Sequence, residues 1–68
     1  MRYRLVTQTR TEYGHLAGFA EVIAEMEDVP HDYAISVYNE ADAVIDKGDA
    51  LRLEQSRDLV RWDKVKSR

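Results

Sequence analysis

No cysteine occurs among the 68 residues of this chain, and that absence most constrains what it can fold into. Disulfides, thiolate chemistry and cysteine-zinc sites are excluded together. Without covalent staples, so short a chain must pack one small core well, or gain stability from a partner or a second copy. A single domain over residues 1–68 is therefore expected. Hydrophobic residues make up 44% of the chain, enough for a globular core and too many for wholesale disorder.

The longest uncharged apolar run in the body of the chain is Leu16-Ala17-Gly18-Phe19-Ala20, too short to span a bilayer. Met1-Arg2-Tyr3-Arg4 opens no signal-peptide pattern. A soluble, cytoplasmic protein that does not engage membranes is expected.

Ten Lys and Arg against thirteen Asp and Glu give a net charge of −3, but the charges are blocked. Residues 1–10 hold Arg2, Arg4 and Arg10 and no acid, for +3. Residues 11–50 hold ten acids and one base, Lys47, for −9. Residues 51–68 hold six bases and three acids, for +3. Such blocks either neutralise each other within the fold or present separate acidic and basic faces to partners.

Residues 2–9 alternate Tyr3, Leu5, Thr7 and Thr9 against Arg2, Arg4, Val6 and Gln8, which predicts a strand covered in part on both faces. Residues 11–28 carry a helical period. Taken at 100° per residue, their apolar side chains fill an arc of roughly 220°. Glu21, Glu25 and Asp28 share the remaining narrow face with Gly14 and Gly18. Thr11 is the candidate N-cap, and Val29-Pro30 the stop. The two glycines either fray the first turn or leave a bare patch for a close approach. Residues 33–38 (YAISVY) alternate as a strand. A short helix is expected over 39–48, with Asn39 as N-cap and Gly48 past its end, a strand over 41–45 being the competing reading. Residues 50–55 alternate as a strand, and Ser56-Arg57-Asp58 is turn-like. Residues 59–65 scatter their apolar side chains around a helix, so a strand closing a hairpin is favoured over helix. Residues 66–68 are expected to fray.

Chemistry-bearing patterns are sparse. No serine or threonine has a histidine at a recognisable spacing, and no Gly-x-Ser-x-Gly occurs. Glu12-x-x-His15 has the spacing of carboxylate-bridged metal sites, but such sites need several copies of that motif. His31-Asp32 reads as a solvated turn. Gly14, Gly18 and Gly48 fit no phosphate-binding loop. No catalytic residue, metal or cofactor is expected, and the chain is not read as an enzyme.

The fold expected is α+β, in the order strand–helix–strand–(short helix)–strand–strand, with one main helix on a small, mostly antiparallel sheet. The function expected is a non-catalytic protein-binding or regulatory module, a class that includes phage- and mobile-element-type accessory and inhibitor proteins. Its partner residues would be an acidic helix face, Glu21, Glu25 and Asp28, and a basic edge, Arg57, Arg61 and Lys64. Trp62 serves either as a partner anchor or as a core anchor for the last strand. The apolar arc is about twice the ~100° that a surface helix needs. It is covered either by a second element such as the short helix or by a partner, and chains of this kind commonly resolve it by forming a homo-oligomer. The alternative is a nucleic-acid-binding accessory protein using the basic C-terminal segment. A pI near 5.2 and the acidic middle argue against it.

Overall fold

A computed structural model describes all residues, 1–68. Strand β1 (Arg2–Thr9) is followed by β2 (Glu21–Glu27), helix α1 (His31–Val44), β3 (Asp49–Ser56) and β4 (Asp63–Ser67). The strands form one antiparallel sheet in the order β2-β1-β3-β4. The class is α+β as expected, with one helix against an antiparallel sheet. The order of elements differs.

The expected helix over 11–28 does not form. Its second half is β2, paired with β1 so that Arg2 opposes Glu27 and Leu5 opposes Ala24. Val22, Ala24 and Met26 repeat at two as well as at helical spacing, so the pattern is ambiguous and pairing with β1 decides it. A bulge at Ile23 shifts the register within this edge strand. The expected strand over 33–38 and short helix over 39–48 are instead largely one helix, α1. Ala34, Tyr38, Ala41 and Ile45 recur at i, i+4, i+7 and i+11, one helical stripe that dividing the segment at Asn39 conceals. Asn39 is not an N-cap. It lies within α1 and accepts a hydrogen bond from Lys66 Nζ (2.9 Å). Pro30 stands at the helix entry, where its missing N–H costs nothing.

Tyr3 and Leu5 of β1, Leu51 and Leu53 of β3, and Ala34 and Tyr38 of α1 form the buried core. Burial of each leucine contributes about 1.5–3 kcal/mol. On the opposite sheet face Val6 and Ala50 are also buried, although no second helix covers them. The last strand is present, as favoured, but spans 63–67. Residues 66–68 are not frayed: Lys66 and Ser67 belong to β4, and the Arg68 amide donates to Leu51 O (3.0 Å).

Arg68 also closes the helix. Its guanidinium donates to Asp42 O (2.9 Å), Asp42 Oδ1 (2.7 Å), Ile45 O (3.1 Å) and Asp46 O (2.6 Å). Asp42 O is one of the carbonyls that the C-terminus of α1 leaves without an intrahelical partner, and a cation there also opposes the helix dipole.

Candidate functional site

The connection between β1 and β2 is the part of the molecule least explained by its own core. Residues 10–20 leave the sheet as an ordered loop. Thr11 anchors it: its Oγ1 accepts from the amides of Tyr13 (3.3 Å) and His15 (3.2 Å), and its own amide donates to His15 O (2.7 Å). Arg10 donates to Gly14 O (3.1 Å), and Gln8 to Gly18 O (3.0 Å). Gly14 (φ 83°) and Gly18 (φ 71°) occupy the left-handed region, where a side chain is strained. The glycines therefore shape a turn; they do not form a bare patch on a helix.

This frame holds apolar side chains in water. Phe19 is 99% exposed and Tyr13 81%, while Leu16, Val22 and Ile23 remain half-exposed. The surplus expected from the apolar arc is present, carried by a loop and an edge strand. The total accessible surface, 4811 Å², exceeds the ~4,400 Å² typical of a folded monomer of 7.9 kDa.

The acidic helix face does not exist. Glu21, Glu25 and Asp28 lie in or just after β2, not on a helix. Glu21 opposes Thr7 and so shares the helix-covered face, whereas Glu25 opposes Arg4 on the open face. Asp28 has φ 55° and lies 3.7 Å from the Met1 amine. Sequence spacing placed these three on one side; the bulge at Ile23 puts Glu21 and Glu25 on opposite faces of β2, and Asp28 lies beyond the strand.

The basic residues are dispersed as well. Arg57 and Arg61 sit in the β3–β4 turn, with Arg61 3.7 Å from Asp63. Lys64 opposes Glu54 on the open face, while Lys66 opposes Leu53 on the helix side and lies over the Tyr38 ring. Arg68 is committed to the end of α1.

Trp62 does not join the main core. The Arg4 guanidinium lies 4.0 Å from its ring centroid and also donates to Glu54 (2.6 Å), which in turn accepts from Arg52 (3.0 Å). This stacked, ion-paired layer roofs the open face and fixes the turn preceding β4. The turn itself is tied by Asp58, whose Oδ1 accepts from the amides of Val60 and Arg61 (2.9 Å each). Those two amides hold the Asp58 carboxyl below its ordinary value of 3.8.

Two of the four clefts bear on the residues expected from the sequence. One of about 320 Å³ is lined by Ser56, Arg57, Asp58, Arg61 and Asp63 among others. Its Ser56 hydroxyl donates to Asp58 and accepts from the Leu59 amide. A smaller one of about 170 Å³ lies between Glu25 and Glu27 of β2 and the side chains of Leu59 and Trp62. It is the place where residues from the acidic set and the C-terminal set meet. His31 Nδ1 pairs with Tyr3 Oη (3.2 Å), so this imidazole holds the entry of α1 to the sheet. No group of three His, Asp or Glu side chains is arranged to hold a metal ion, and no helix is long and apolar enough to cross a membrane.

Sequence reasoning missed Phe19, Leu16 and Tyr13 as candidate contacts because it folded them into a helix that the sheet would cover. The excess width of the apolar arc was the signal that could have found them. Comparison with protein-family models, with curated proteins and with solved structures produced no match.

Proposed function

We propose that this chain is a small, non-catalytic protein-binding module that docks through the tip of its β1–β2 hairpin. The carrying observation is Phe19, presented almost wholly to water by a loop fixed with hydrogen bonds and two left-handed glycines. An aromatic side chain has few rotatable bonds and loses little conformational entropy when it enters a pocket, which is the chemistry of an interface hot spot. Leu16 and Tyr13 extend the apolar contact, and Val22 and Ile23 continue it onto β2. The partner is a protein with an apolar pocket for Phe19. The polar groups nearest to catalytic chemistry have structural tasks: Ser56 ties a turn and His31 bonds Tyr3.

The test is photo-crosslinking in extract of the native cell, with a photoreactive phenylalanine at position 19 and, as control, at Val60, which is 85% exposed on the far turn. One partner joined from position 19 and not from position 60 supports the reading. Phe19→Ala should then weaken binding of that purified partner about 30-fold, the size of a ~2 kcal/mol hot spot. Equal labelling from both positions, or unchanged affinity in Phe19→Ala, overturns it.

A further inference from the structure

The sheet ends in two free strands of opposite charge. β2 carries Glu21, Glu25 and Glu27 and no base; β4 carries Lys64 and Lys66 against Asp63. Glu27 is engaged by Arg2, but neither Glu21 nor Glu25 has an ion-pair partner, nor does Lys64. An edge strand is a row of unpaired backbone donors and acceptors, and charge decides what can add to it.

Three ways exist to join two copies edge to edge. Antiparallel pairing of β2 with a second β2 brings together two strands that each carry three glutamates and no base. Pairing β4 with a second β4 brings together two strands of net positive charge. Both place like net charge at the joint, which disfavours them. Joining β4 of one copy to β2 of the next sets a net positive strand against the acidic one, with unlike charges present on both faces. Lys64 shares the open face with Glu25 and Glu27, and Lys66 shares the helix-covered face with Glu21.

Strand direction permits this third joint. Across the order β2-β1-β3-β4 every step is antiparallel, so β2 and β4 run in opposite directions. A second copy set alongside in the same orientation therefore continues an antiparallel sheet. Four strands repeat every ~19 Å, which leaves room for one helix of ~10 Å diameter per copy.

We infer that the partner of the β2 edge is the β4 edge of a second copy, in a head-to-tail, charge-steered and salt-sensitive self-association. The joint is heterologous, so each addition leaves a free edge of either kind and growth proceeds as open chains or closes as a ring. This inference uses the sheet edges alone and does not depend on the hairpin tip docking elsewhere.

Sedimentation velocity over a concentration series tests it. At about 20 mM salt the wild type should sediment faster as its concentration rises, and at about 500 mM it should return toward monomer as screening shortens. Glu21→Lys/Glu25→Lys and Lys64→Glu/Lys66→Glu should each remain monomeric at low salt, and their equimolar mixture should associate again. Ile23→Pro supplies an independent block, because this bulge residue has no register partner in β1 and proline is tolerated at edge bulges. Far-UV circular dichroism establishes that each variant is folded, and the wild-type salt series decides the matter should one fail to fold. A wild type that stays monomeric at low salt up to several hundred micromolar overturns the inference. So does association that persists in Glu21→Lys/Glu25→Lys, or that is lost only in Phe19→Ala, since the hairpin tip would then be the contact.

Discussion

Single residues outside the core carry an unusual share of the order in this molecule. Arg68 supplies four hydrogen bonds to the last turn of α1 and the loop after it. Charge-assisted bonds of this kind contribute about 1.5–3 kcal/mol, so Arg68→Ala should lower unfolding free energy by ~2 kcal/mol in urea denaturation. Arg68→Lys should recover only part of it, because an ammonium cannot reach several carbonyls at once. Gly18→Ala should cost ~1–2 kcal/mol through its positive φ, and should weaken docking by re-aiming Phe19. Asp58 gives a pH signature: its folded carboxyl is held down by the Arg61 and Val60 amides. Its contribution is therefore present above the ordinary value of 3.8 and is lost as the pH falls through the lower folded value. Asp58→Asn should flatten the acid limb of the stability curve. Of these roles only the turn at Asp58 was legible in the sequence. A guanidinium that caps a helix, or a glycine that needs positive φ, is defined by contacts between distant residues and not by spacing along the chain.

At the scale of elements, legibility followed the strength of local alternation. β1 and β3 were readable because Tyr3, Leu5, Leu51 and Leu53 alternate cleanly with polar neighbours and end in the core. α1 was misread because YAISVY satisfies period 2 and period 3.6 together, and only the continuation through Ala41 and Ile45 selects the helix. β2 failed in the opposite sense: Glu, Ala and Met are good helix formers, and pairing with β1 overrides them. The acidic face fell with that helix, whereas the surplus of apolar residues did not, because exposure of Phe19 does not depend on which element carries it. Ala34 is fully buried in the core where α1 meets the sheet. Ala34→Leu should destabilise by about 1–3 kcal/mol through overpacking, read as a lowered urea midpoint at unchanged slope.

For the whole molecule, a core of six buried residues sets a narrow margin. At the usual 0.05–0.15 kcal/mol per residue, a chain of this size is stable by roughly 3–10 kcal/mol. Leu53→Ala, at about 2–5 kcal/mol, should leave a large unfolded fraction at 37 °C by circular dichroism. At high pH Tyr38 sets a limit: burial first, then the nearby Asp42, raise its phenol above 10.0, opposed by Arg68. Stability from this group is complete below 10.0 and declines as the pH rises through the folded value, where the unfolded chain ionises more readily. Tyr38→Phe should remove that alkaline slope.

The central seam between β1 and β3 has a kinetic consequence. The two hairpins, β1–β2 and β3–β4, are local, but they join only when Thr9 meets Asp49 and Arg2 meets Ser56. Closing a loop of about 40 residues costs roughly 3 kcal/mol of chain entropy before any contact offsets it. The joining of the two hairpins is therefore expected to limit the folding rate. Changes at Leu5 or Leu53, and changes that weaken either hairpin, should slow refolding. During synthesis the first half must wait, with Phe19 already in solvent, until the strand that completes its sheet has left the ribosome.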